Sequence, residues 1–130
     1  MCRILTVDLR GRVVVVTGAN QGLGLAISHA LAERGCTLYM VCRDEDRGKA
    51  AVKCVQTATG NKDVNLKLCN LSSKQAIHAL ASDLSSKNVR IYLLVHNAGV
   101  MVRSLLCFTV HVHKYLCMFH RAMRIAALEP

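Results

Sequence analysis

The sequence predicts an α/β domain built on a parallel sheet in the strand order 3-2-1-4, with helices on both faces. Three observations carry that expectation. Short β-branched runs alternate with helical patterns from Arg12 onward. The first run holds four consecutive valines, Val13 to Val16, and a strand without apolar/polar alternation is one buried on both faces. A cluster of glycines then separates that strand from the first helical pattern. With 130 residues the chain has room for one domain with a real core, since chains of this size bury roughly two thirds of the surface their unfolded form exposes. We expect that domain over residues 1–102 and a divergent tail, not a separate domain, over 103–130.

Taken in order, RVVVVT (12–17) is the first strand. Gly22 to Arg34 reads as a helix with Leu23, Ile27, Ala30, Leu31 and Arg34 along one side and Gly35 as its stop. CTLYMVC (36–42) is the second strand. Asp44 is placed to cap a helix running toward Gly60, with Ala51, Val55 and Ala58 on its apolar face. VNLKLC (64–69) is the third strand. In the helix that follows, Ser72 and Gln75 have the spacing of a capping box, and Ile77, Leu80, Ala81 and Leu84 form one stripe. VRIYLLVHNAG (89–99) supplies the fourth strand and ends in a turn at Asn97 to Gly99. Right-handed crossovers then put the carboxyl ends of the first and fourth strands beside one crevice.

After Val102 the pattern changes. The tail reads either as an amphipathic helix from about His113 or as a strand over 105–112 followed by a helix, and periodicity does not choose. The outer edge of the fourth strand, Ile91 to Val95, is therefore expected to stay open, or to be covered by Leu105 to Val112 or by the tail as a helix. An open apolar edge is a template for self-association.

Composition excludes several classes. An apolar-rich chain with one proline, no tryptophan and few aromatics is not a disordered segment. The formal charge of +9 suits an anionic partner, but no block of five or six like charges occurs and no aromatics interleave with the basic residues, so nucleic acid is excluded as the main ligand. Seven cysteines, odd in number and without a C-x-x-C pair, indicate a reducing compartment; Cys36, Cys42 and Cys69 fall in or beside apolar runs and read as small buried hydrophobes. The start, MCRILTVDLRGR, lacks the apolar core of a signal peptide, and no run reaches bilayer-spanning length, so the expected location is cytoplasmic with no transmembrane segment. Cys107, His111, His113, Cys117 and His120 offer soft ligands, of which three share a helical face, whereas closed zinc sites use four. They read as incidental, and no metal is expected.

The glycines Gly18, Gly22 and Gly24 stand in the order T-G-x-x-x-G-x-G between the first strand and the first helix. Glycines there let the main chain turn tightly and approach a pyrophosphate held at the helix N-terminus. Together with the strand and helix that flank it, this loop makes the expected fold Rossmann-like and the expected partner a dinucleotide cofactor. About twenty residues on, where NAD-binding folds keep an acid for the ribose 2'-hydroxyl, the chain has Cys42 and Arg43. A guanidinium matches a 2'-phosphate, so NADP is expected, with Arg47 and Lys49 as second contributors. NAD is the lesser alternative, in which Asp44 reaches the ribose.

TGANQGLG (17–24) together with HNAG (96–99) resembles the short-chain dehydrogenase/reductase family, and VCRDEDRGKAAV (41–52) followed by GNKDVNLKLCNLSS (60–73) resembles its retinol-dehydrogenase-like branch. The likeness spans about Gly11 to Met101. It implies that Thr17, Gly18, Asn20, Gln21, Gly22, Leu23 and Gly24 form the pyrophosphate turn and that Arg43 faces the adenosine ribose. It also implies that Asn70 and Leu71 lie at the adenine, and that Asn97, Ala98 and Gly99 line the cofactor. Two positions depart from the family pattern: Asn70 stands where an aspartate is usual, and His96 replaces the leading asparagine of the N-N-A-G turn.

The family reaction transfers hydride between NADP(H) and a carbonyl or alcohol, using a Tyr, a Lys four positions after it, and a Ser. Here Tyr39, Tyr92 and Tyr115 are followed at that spacing by Arg43, His96 and Phe119. A phenol with a pKa near 10 is a poor acid-base group at neutral pH without a neighbouring cation. Lys114 adjoins Tyr115, but adjacent residues point apart. No catalytic residue is therefore assigned. The expectation is an NADP(H)-binding oxidoreductase fragment with an incomplete C-terminal half, truncated before the catalytic groups and inactive alone, which would act on a small-molecule substrate only if completed by residues from elsewhere. The alternatives are a noncatalytic NADP-binding or interaction module and an unstable product of a shortened gene model.

Overall fold

The computed structural model describes residues 7–99. Within them β1 (Val13–Thr17), β2 (Thr37–Cys42), β3 (Val64–Leu68) and β4 (Ile91–Val95) form one parallel sheet in the order β3-β2-β1-β4. Between them run α1 (Gly22–Ala32), α2 (Glu45–Thr59) and α3 (Lys74–Ser86). The predicted order is the observed one. The tail from 103 onward, with its alternative readings and its cysteine and histidine cluster, lies outside the described residues, as do Tyr115 and the segments expected to cover β4.

β1 is the central strand, and Val14, Val15 and Val16 are fully buried because the sheet is covered on both sides. Val14 and Val16 pack with Leu38, Met40, Ala51 and Val55 on the side of α1 and α2. Val15 faces the other way, onto Val41, Ile77, Leu80 and Leu84 under α3. β4 does not alternate cleanly, because a bulge between its pairs with Val13 and Val14 leaves Tyr92 without a register partner. The extra residue resets the pleat, so Ile91 and Leu94, three apart, both reach the α3 side. Tyr92 is left 55% exposed with the Arg12 guanidinium 4.8 Å from its ring centre. Among the described residues no strand pairs with the outer edge of β4.

α2 begins at Asp44, whose carboxylate accepts the Arg47 N–H at 3.0 Å, as its sequence position predicts. The apolar faces of α1 and α2 need corrections. α1 stops at Ala32, and residues 33–35 form a turn. Its buried face is Gly24, Ser28 and Ala32, with Leu25, Ile27 and Leu31 beside them, while Leu23 and Ala30 are exposed. The stripe is rotated because the smallest residue, Gly24, has to face the sheet. In α2 the buried residues are Gly48, Ala51 and Val55, and Ala58 is exposed, because the helix lies against the Leu66 side chain, which a Cβ on residue 48 would meet at 2.6 Å.

α3 carries the predicted stripe unchanged: Ile77, Leu80, Ala81 and Leu84 are all buried. Its cap is different. Asn70 forms a turn in which its Oδ1 accepts the Ser72 N–H at 3.0 Å and its carbonyl accepts the Ser73 N–H at 2.9 Å. That turn makes Ser73 the N-cap, bonded to the Ala76 N–H at 3.3 Å, and leaves no Glu or Gln at the reciprocal position of a box. Burial of each large apolar side chain contributes about 1.5–3 kcal/mol against about 1 kcal/mol for a cap, so the stripe holds the helix and the cap sets its start. Asp83 joins α3 to β3 by accepting from Lys67, and it also pairs with Lys87 at 2.6 Å. These hydrogen bonds hold its carboxyl below the ordinary range.

Among the described residues no helix is long and apolar enough to cross a membrane. Cys36, Cys42 and Cys69 are buried free thiols, as predicted, and burial pushes the Cys36 thiol up to about 11 and raises the other two. Because Ser73 and not Ser72 caps α3, Ser73→Ala is expected to lower stability by about 1 kcal/mol, and Ser72→Ala by less than about 0.5 kcal/mol, in denaturant unfolding. Equal effects would remove the assignment.

Candidate functional site

A parallel sheet brings the carboxyl ends of its strands to one edge, and the loops leaving β1, β2, β3 and β4 meet there. Thr17 closes the gap between β1 and β4. Its hydroxyl, on a fully buried residue, donates to the Val95 carbonyl at 3.3 Å and accepts the N–H groups of Asn97 and Ala98, each at 3.1 Å. One donor and two lone pairs are then all used. Asn97 returns the link, since its Nδ2 donates to the carbonyls of Thr17 at 3.2 Å and Gly18 at 3.1 Å.

These bonds press the glycine loop against the β4 turn. Gly18 has φ +63°, and a Cβ there would stand 2.9 Å from the Ala98 Cα. A Cβ on Gly24 would stand 2.2 Å from the Gly18 carbonyl oxygen and 2.4 Å from Asn97 Nδ2, so only glycine lets α1 begin this close to β1. Ser28 anchors the same turn by donating to the Gly24 carbonyl at 2.8 Å. The N-cap of α1 is Gln21, in extended backbone, with no side-chain cap and no acid in the first turn. The helix start thus keeps amide donors and positive dipole character without a protein anion beside them, which suits a phosphate. Gln21, Gly22 and Leu23 are exposed at this start, Leu23 to 70%, and Asn20 is half-buried.

At the end of β2, Arg43 is exposed. Its neighbour Asp44 is committed to capping α2, with Arg47 Nε 3.9 Å from its other oxygen, and Lys49 pairs with Glu45 at 2.6 Å. After β3, Asn70 is exposed and Leu71 half-buried, and the Asn70 oxygen already serves the turn into α3. After β4, Asn97 and Ala98 are half-buried and Gly99 exposed, and His96 is half-buried.

Among the described residues, the structure gathers those assigned to the cofactor from Thr17 to Gly24, Arg43, Asn70, Leu71 and Asn97 to Gly99 at one end of the sheet. The Asn97 side chain also ties this end together, donating to β1 and to the glycine loop. The Thr17 hydroxyl, expected only as part of the pyrophosphate turn, is the hub between β1 and β4. Its one signal in the sequence is a polar residue closing a fully buried strand. A recess of about 540 Å³ lies at the opposite end, lined by residues including Arg10, Arg34, Asn61 and Lys62, and it shares no wall with these loops.

Residues 12–114 match the family model described as short chain dehydrogenase, which extends past Met101, where the likeness read from the sequence stops. The chain belongs to the short-chain dehydrogenase/reductase family, in its retinol-dehydrogenase-like branch. It is 42% identical over 97 residues to human retinol dehydrogenase 11, an alignment covering 75% of this chain and 30% of that protein. It is 39% identical over 93 residues to human dehydrogenase/reductase SDR family member 13, covering 72% of this chain and 25% of that one. Among solved structures, a metagenomic short-chain oxidoreductase in complex with NADP superposes with a TM-score of 0.78 at 30% identity, over 92% of this chain and 58% of that chain. The chain thus spans about a third or less of the length of these curated relatives.

Proposed function

We propose that this chain forms the NADP(H)-binding part of a short-chain oxidoreductase and that its 130 residues bind the cofactor without turning it over. The observation that carries this reading is the bare start of α1, held against β1 and β4 by Gly24 and Asn97 and left without a capping side chain. Thr17, Gly18, Asn20, Gln21, Gly22, Leu23 and Gly24 would hold the pyrophosphate. Asn70 and Leu71 would border the adenine, and Asn97, Ala98 and Gly99 the far end. The bound cofactor supplies the hydride that the family exchanges with a carbonyl or alcohol. The solved relative at 30% identity was crystallised with NADP, which supports the same choice here.

The contrast between Arg43 and Asp44 supports NADP over NAD. Arg43 is exposed at the strand end, whereas the carboxylate that would reach a ribose is occupied by the α2 cap. NADPH is expected to bind more tightly than NADH, and Arg43→Asp to narrow or reverse the gap, in fluorescence titrations of the full chain with both cofactors. Equal affinities in the parent chain would remove Arg43 from the site.

The sequence contains no Tyr-x-x-x-Lys pair, so nothing in it supplies a phenol lowered toward neutral pH. Purified protein with NADPH and a panel of aldehydes, ketones and retinoids is expected to show no absorbance loss above background. Turnover that disappears in Tyr115→Phe would assign the chemistry to the tail instead.

We further propose that the chain self-associates through the β4 edge. Tyr92 and Leu93, 55% and 38% exposed, lie in β4, whose outer edge pairs with no strand among the described residues. The expected result is a concentration-dependent shift in size-exclusion chromatography that Leu93→Lys suppresses; a monomer at every concentration would refute it. The four described cysteines are free thiols, which supports a reducing compartment such as the cytoplasm.

A further inference from the structure

Cys54 of α2 and His29 of α1 meet across the two helices, away from the helix starts that face the nucleotide. The Cys54 Sγ lies 3.9 Å from the His29 Nε2. The residues are 25 apart in sequence, so their approach is a product of helix packing. That packing is firm on both sides: Ser28 and Ala32 flank His29, Ala51 and Val55 flank Cys54, and all four are buried. Cys54 is itself exposed and His29 half-buried. The positions three and four away on α2 are Ala50, Ala51, Thr57 and Ala58, all small, so no long side chain of its own helix face covers the sulfur.

A thiol beside an imidazole is the arrangement that activates a sulfur nucleophile, and the contact is often looser before a reactant arrives. With its proton on Nδ1, the His29 ring accepts at Nε2, where the Cys54 S–H donates. His29 stands in the last turn of α1, where the helix dipole favours a cation, and exposed Glu33 follows four residues on. A proton received there is supported from two sides. Cys36, Cys42 and Cys69, by contrast, are buried and closed to a reactant. We propose that the Cys54–His29 pair is a modification site for small disulfides that carry acidic groups, with His29 as the proton acceptor. Lys53, exposed beside Cys54, supplies the charge that draws such a molecule. In the step the Cys54 thiol passes its proton to His29 Nε2 and its sulfur attacks one sulfur of the disulfide. A mixed disulfide forms as the old S–S bond breaks, and the departing thiolate takes the proton from the imidazolium. One disulfide replaces another, so no further oxidant is needed.

Oxidised glutathione is the probe, applied to the full chain at neutral pH, with the modified sites mapped by peptide mass spectrometry over time. The mixed disulfide is expected at Cys54 before Cys36, Cys42 or Cys69. His29→Asn is expected to slow the reaction at Cys54 about tenfold, since an unassisted thiol is only a few per cent thiolate at neutral pH. As a reference, Thr57→Cys in a Cys54→Ser chain puts an exposed thiol one turn further along α2, and it is expected to react about tenfold more slowly than Cys54 in the parent. A parental rate at Cys54 in His29→Asn overturns the proposal. If His29→Asn fails to fold, the reference thiol decides, and equal rates at positions 54 and 57 overturn it. Neither result bears on the cofactor reading, which rests on the opposite ends of the same helices.

Discussion

The hydroxyl of Thr17 is the point on which the arrangement turns. β1 and β4 are neighbours in the sheet, and their register carries a bulge, so backbone pairing alone does not fix how the two strand ends meet. Thr17 fixes it by accepting from Asn97 and Ala98 while donating to Val95, and Asn97 answers with its amide. Three of these groups are main-chain atoms on half-buried residues, which the buried Thr17 hydroxyl satisfies. The glycine loop, the start of α1 and the β4 turn take their positions from this small knot.

That knot explains why the loop is made of glycine at particular points. Gly18 lies against Ala98 and Gly24 against the Gly18 carbonyl, and both contacts exist only because Asn97 draws the β4 turn over β1. The start of α1 lies beside this contact, and its N-cap, Gln21, is exposed and makes no side-chain cap, which leaves the helix amides open. In a family whose members differ widely in chemistry, this part of the fold serves one constant need, which is to hold a phosphate-bearing cofactor at the end of a parallel sheet.

Most of the scaffold was legible because it is periodic. The valine run of β1 and the Ile77, Leu80, Ala81, Leu84 stripe of α3 are patterns that local reading recovers. In α1 hydrophobicity points to Leu23 as a facing residue, whereas the close approach to β1 selects the smallest residue, Gly24, with Ile27 and Leu31 still packed beside it. The spacing of Ser72 and Gln75 points to Ser72 as the cap, and the Asn70 turn that hands the role to Ser73 has no periodic trace. In the site, the glycines and Arg43 were visible as a motif. The partnership of Thr17 with Asn97 joins residues far apart in the chain, and no spacing rule reports on such a pair.

The sequence distance across the knot also orders events during synthesis. β1, β2 and β3 can pair as the chain leaves the ribosome, each with a partner fewer than about thirty residues away. The bonds of Thr17 to Val95, Asn97 and Ala98 span 78 to 81 residues, and they form only after the β4 turn has emerged. Until then one edge of β1, with its buried valines and the Thr17 hydroxyl, lacks its partner strand. A nascent chain of this fold is thus committed to its sheet well before it is competent for a nucleotide, and the interval is the period in which a chaperone has the most surface to hold.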